Sequence, residues 1–200
     1  MGIVKGKYIF TFIIRSDFKF LIKKMVSKNV NFRQMFLILI KLMTTLKEKN
    51  IKIPQVKDEF RIKSSNFKNG EEIPKKYTPY DKDIHPSFYW YGFPKETKSF
   101  AIICEDPDTP NGKNFTHWVV KNIPVNINKI EEGENVGEEI KNGWGFTRYS
   151  GPKPPNGKHR YFFRLFALKD KELFSKSIIG IKKEIEKLKI GEAVIMGTFG

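Results

Sequence analysis

Two hundred residues, 40% hydrophobic and 14% aromatic, suit one folded domain or one domain with an appendage. The single cysteine excludes an intramolecular disulfide and favours a reducing, cytoplasmic setting. The formal charge of +15 points first to nucleic acid, but residues 1–50 hold 11 Lys and Arg against two acids and so carry most of it.

No helix-turn-helix, zinc-knuckle or RNA-recognition signature occurs, so sequence-specific nucleic-acid binding is not expected. The chain instead divides at about residue 55 into a basic N-terminal extension and a domain spanning 56–200. Within the extension, "YIFTFII" (Tyr8–Ile14) and "MFLILIKLM" (Met35–Met43) fall short of the roughly 18 residues of a membrane span. Arg15 and Asp17 stand where a signal peptide needs a small-residue cleavage site, and Gly6 breaks the myristoylation pattern. Residues 1–55 are compatible with three origins: an organelle-targeting segment or surface helix, with peripheral membrane contact through residues 1–50; upstream sequence ahead of a start at Met25 or Met43; or an added helical layer.

From residue 56 the pattern becomes mostly β. "EFRIKSS" (Glu59–Ser65) alternates Phe60 and Ile62 with charged neighbours, as a half-buried strand does. Asn69-Gly70 marks a turn, and the proline-broken "IHPSFYWYGFP" (Ile84–Pro94) holds loop and a short strand. "KSFAIICED" (Lys98–Asp106) and "FTHWVVKNIP" (Phe115–Pro124) read as strands, the first of them buried. Residues 127–158 contain six glycines and three prolines and read as a long loop, a feature that tends to be functional. "HRYFFRLFALKD" (His159–Asp170) is apolar on both faces apart from Arg164 and should be a central strand. Ile181, Ile185 and Leu188 predict one amphipathic helix over 181–190, and Glu192–Phe199 a closing strand. Strands followed by one late helix imply antiparallel sheets.

Three histidines lie beside strands or proline-rich loops: His85, His117 and His159. Cys104 and Asp106 share a strand face by the period of two, and Asp108 follows a proline that ends the ladder. A hairpin return would set His117 opposite the aspartates. The stiff "GPKPPNG" turn delivers His159 to the start of its strand. Two carboxylates and two imidazoles can thus meet at one end of a sheet. Asp-Pro-Asp is also a common turn, and strand histidines are often only satisfied polar groups.

"DPDTP", "FTHWVVKNIP", "GPKPPNGKHRYFFRLFAL" and "IPKKYT…HPSFYWYGFPKETKSFAII" resemble the phosphatidylethanolamine-binding protein family in its prokaryote-type, Raf kinase inhibitor-like branch. The resemblance covers Phe60 to Gly200. It implies a large antiparallel sheet packed on a smaller one, a short late α-helix, and a small anion pocket at one end. It assigns Asp106, His117 and His159 to that pocket, with Asp108, Pro110 and Tyr161 matching alongside. Trp90 matches a family tryptophan, and Gly151, Lys153, Pro154 and Pro155 match the Gly-x-x-Pro-Pro turn, whose backbone N–H near Lys153 would face the anion. It also implies a cis Thr109–Pro110 bond. Three departures stand out: Lys153 replaces a glycine or small residue, His85-Pro86 replaces Ser-Pro, and the eukaryotic gating helix has no counterpart, which implies a more open pocket.

Carboxylates suit an anion pocket if each orients an imidazole and favours its charged, doubly donating form. The expected function is therefore non-enzymatic binding of a phosphate-containing small molecule or phospholipid head group, with no cofactor. Two alternatives carry specific features. Some relatives regulate a kinase or protease through protein contact. Two His and two Asp are also a metal-ligand or acid–base inventory for a hydrolase, although no close pair such as HxxxH occurs.

Overall fold

The computed structural model describes residues 59–200, together with Arg33, Gln34, Leu37, Ile40 and Lys41, which are helical. The chain divides into two units, Met1–Val56 and Lys57–Gly200. The first apolar run and the origin of the extension lie outside the described residues, and within Met35–Met43 only Leu37, Ile40 and Lys41 are described.

The described residues of the second unit form eight strands, one α-helix and a short 3-10 turn at Lys75–Tyr77. The strands and the helix are β1 (Arg61–Ser64), β2 (Phe88–Tyr91), β3 (Ser99–Asp106), β4 (Phe115–Pro124), β5 (Lys129–Ile130), β6 (Glu138–Glu139), β7 (His159–Leu168), α1 (Ile178–Leu188) and β8 (Lys189–Phe199). A five-stranded antiparallel sheet in the order β6-β4-β3-β7-β8 faces a three-stranded one, β1-β2-β5. The expected large and small antiparallel sheets are both present. β7 is an interior strand as its composition requires, with β3 at the centre of the sheet.

All eight residues of β3 are buried, because both faces are covered. Phe100, Ile102 and Cys104 turn into the core between the sheets with Phe88, Trp90, Trp118, Tyr161 and Phe163. Ala101 and Ile103 turn the other way and pack with Val119, Phe166, Ile181 and Ile185. Fully burying each such Phe or Ile contributes about 1.5–3 kcal/mol relative to exposure.

α1 starts three residues earlier than its apolar spacing suggested, because Ser177 caps it by accepting the Gly180 N–H at 3.1 Å. Its last residue runs straight into β8, which therefore begins at Lys189 and not at Glu192. The Thr109–Pro110 bond is trans, against expectation, as are all described peptide bonds. A turn closes there instead through Gly112 N–H to the Thr109 carbonyl at 2.9 Å.

Candidate functional site

The site is built at the end of the large sheet where β3, β4 and β7 exit. In the β3–β4 ladder Cys104 pairs with Trp118 and Glu105 with Thr116, which leaves His117 as the extra residue of a β-bulge. A bulge breaks the alternation and re-aims a side chain. Here it sets His117 against Tyr161 although its sequence neighbour Trp118 also lies in the inter-sheet core. The His117 Nδ1–H donates to the Ser150 carbonyl at 2.7 Å, which fixes the tautomer and leaves Nε2 to face whatever enters the site. Phe115, Trp144 and Tyr161 surround the imidazole edge-on, with ring centroids 5.2, 5.0 and 5.1 Å away.

Asp106 ends β3 and His159 opens β7. Asp106 Oδ2 accepts from His159 Nδ1 at 2.8 Å, and its Oδ1 accepts the Asp108 N–H at 2.8 Å. Both side chains are buried. Asp108 takes another direction. Its carboxylate holds the Arg160 guanidinium at 2.6 and 2.8 Å and the Arg160 N–H at 2.9 Å, a forked clamp that ties the start of the β3–β4 loop to β7. The hydrogen bonds from Arg160 hold the Asp108 carboxyl down at about 2.

The turn after the long loop is fixed by close approach. A Cβ on Gly151 would lie 2.1 Å from the Tyr77 carbonyl oxygen and 2.8 Å from Thr78 Cα, so only glycine fits. The Gly151 N–H donates to Asp83 Oδ1 at 2.7 Å, and Asp83 Oδ2 takes Arg148 at 2.8 Å. Between Gly151 and Pro155 the only other backbone donor is the Lys153 N–H, which has no partner among the described residues. Lys153 and Pro110 are exposed and Pro154 is half-buried. The Lys153 side chain thus turns to solvent and adds no buried charge to the site.

Tyr161 follows on the inner face of β7, two residues after His159. Its hydroxyl is buried and has no hydrogen-bond partner among the described residues. Burial raises its pKa, and the negative charge of Asp106 adds to this, so the hydroxyl stays a donor. His117 is shifted down: burial disfavours its charged form more than the Ser150 carbonyl and Asp106 favour it. The imidazole charge that two neighbouring carboxylates suggested therefore does not hold for His117, because desolvation outweighs a carboxylate that makes no hydrogen bond to it. Cys104 lies buried below, its thiol pushed well up by burial and then by Glu105 and Asp106. Among the described residues no three His, Cys, Asp or Glu side chains converge at metal-binding geometry.

Asp106, His117, His159 and Tyr161 are thus brought together, while Asp108 faces away toward Arg160. Trp90 lies elsewhere: it is 1% exposed in the inter-sheet core, edge-on to Phe100 at 5.4 Å, near the opposite end of β3. His85 is also structural. It stacks on Trp118 at 4.4 Å, and its two ring nitrogens lie 2.9 Å from the carbonyls of Pro86 and Glu134. Sequence reasoning missed Phe115, Trp144, Asp83 and Asn142. Phe115 was within reach, since it stands two residues before His117. Trp144 and Asp83 sit in loops whose partners are distant in sequence, while Asn142 bonds mostly to its own loop and carries no period that marks it.

The sequence pattern of the family described as "Phosphatidylethanolamine-binding protein" matches residues 63–200. A UPF0098 protein of Aquifex aeolicus is 48% identical over 114 residues, covering 52% of this chain and 66% of the relative. Among solved structures, a putative phosphatidylethanolamine-binding protein homologue from Chlamydia trachomatis superposes with a TM-score of 0.68 at 30% identity, over 71% of this chain and 97% of its own. Escherichia coli YbcL, described as a member of the mammalian family of this type, gives 0.67 at 27% identity, over 70% and 98%. With a family match across well over half its length and the expected two-sheet architecture, the chain belongs to the phosphatidylethanolamine-binding protein family.

Proposed function

We propose that the protein binds phosphate-like anions, free or as the head group of a phospholipid, without chemical turnover. The observation that carries this is the buried Tyr161 hydroxyl beside His117: it makes no well-formed hydrogen bond, and the acceptor within its reach, Asp106, already takes His159 and the Asp108 N–H. Leaving such a donor unpaired costs about 1–3 kcal/mol, a deficit that a ligand oxygen removes. His159, oriented by Asp106, and the unpartnered Lys153 N–H add donors. Neutral His117 presents Nε2 and accepts a proton when a dianion arrives, so charge is gained as it is needed.

Four or five polar contacts in so small a site correspond to a dissociation constant on the order of 0.1–10 mM for inorganic phosphate or phosphoethanolamine. Calorimetric titration tests this. Tyr161→Phe should weaken binding about threefold to tenfold, and His159→Ala by at least about tenfold. Hydrolysis of simple phosphate or carboxylate esters should not exceed that of a His117→Ala, His159→Ala double variant. No heat of binding at tens of millimolar phosphate, or ester turnover lost in the double variant, would overturn the proposal.

A further inference from the structure

We infer that the rim of this site is a docking surface for an anionic phospholipid bilayer, with Trp144 and Phe146 as the inserted residues. Trp144 is 46% exposed and Phe146 50% exposed. These rings are held in place. Asn142 is buried, and its Oδ1 accepts both the Trp144 and the Phe146 N–H at 3.0 Å, while its carbonyl accepts the Gly145 N–H at 2.9 Å. Its Nδ2, sharing two hydrogens among three acceptors, faces the His117 carbonyl at 3.2 Å, the Arg148 carbonyl at 3.1 Å and Ser150 Oγ at 3.0 Å. One buried amide therefore presents two large apolar rings to solvent and ties them to the strand that carries His117. Trp144 keeps part of its ring on Phe115 and His117, at 4.3 and 5.0 Å, and the surface that it and Phe146 leave exposed gains nothing in water, whereas aromatic rings are favoured at the bilayer interface.

Charge complementarity selects the partner. From Ile140 to Lys169 there are seven Lys and Arg and no acid, of which Arg148, Lys158, Arg160 and Arg164 are neutralised by Asp83, Glu72, Asp108 and Glu192. Lys141 and Lys153 are exposed and make no ion pair among the described residues. Arg148, which pairs with Asp83, also lies 5.2 Å over the Phe146 ring. Aromatic rings flanked by unpaired cations fit a surface of anionic head groups with apolar chains beneath. This extends the anion-binding proposal from the pocket to its rim.

Trp144 is its own reporter, since the other two tryptophans, Trp90 and Trp118, are each 1% exposed. The full chain is mixed with phosphatidylcholine vesicles, with and without phosphatidylglycerol, carrying brominated acyl chains. The emission should shift blue and be quenched by the anionic vesicles, and far less by the neutral ones. In Phe146→Ala and Lys141→Ala the vesicle concentration for half-quenching should rise about tenfold for the pair combined. Vesicle association without quenching would assign binding to another surface and overturn the inference. So would the absence of association, or quenching by a phosphorylated peptide in place of vesicles. Inorganic phosphate titrated into the same protein reads the pocket separately: quenching without phosphate binding would sink the pocket proposal alone.

Discussion

Asp106, the last residue of β3, and His159, the first of the antiparallel β7, meet at 2.8 Å at one end of the sheet, and their side chains are only 5% and 7% exposed. A carboxylate in this position serves to aim an imidazole. Its two oxygens are both occupied, by the His159 ring and by the Asp108 N–H.

Asp106→Asn should therefore weaken phosphate binding, by about tenfold, although it removes a negative charge. A neutral amide holds the ring about half as strongly as a charged acceptor does. Titrations at pH 6 and pH 8 check this. Tighter binding by the variant at both values would mean that Asp106 merely repels the anion.

Burial holds His117 below its ordinary value of 6.5, so as pH falls the unfolded chain takes up this proton first. The stability contributed by this residue is full above about pH 6.5 and declines below it. The melting temperature of wild type should therefore fall more steeply than that of His117→Gln between about pH 6.5 and 5. Phosphate binding near neutral pH should bring proton uptake, visible as a dependence of the binding heat on buffer ionisation enthalpy. A binding heat independent of buffer in wild type would contradict the role given to Nε2.

Asp108 is a clamp, with its carboxyl held at about 2 by Arg160. Its contribution to stability is present above the unfolded value of 3.8 and is lost as pH falls toward 2. Asp108→Asn should cost about 1 kcal/mol in denaturant melts and leave phosphate affinity within about twofold. Loss of binding at unchanged stability would return Asp108 to the pocket.

Trp90 and Gly151 separate core from site. Trp90→Phe should lower stability by about 1–2 kcal/mol with phosphate binding intact, since the indole packs on Phe100 in the core. Gly151→Ala should lower both, by about 1–3 kcal/mol in stability, because the new Cβ collides with the Tyr77 backbone and displaces the turn. Normal binding by Gly151→Ala would show that the turn is not part of the site.

Much of the framework was legible in the amino-acid order. Apolar runs and alternation marked β3, β4 and β7 nearly to the residue, and Ile181, Ile185 and Leu188 marked α1. The meeting of Asp106 with His159 followed from strands that end together. These features are local, because side-chain period alone decides which face a residue takes. Tertiary structure decided the rest. The bulge at His117 exists only in the register between β3 and β4, Asp108 turns to an arginine 52 residues away, and Asp83 takes the Gly151 N–H from 68 residues away. Trp90 entered the core because the small sheet must cover Phe100. Such partners are chosen by which groups the packed sheets leave unsatisfied, and no period in the sequence carries that information.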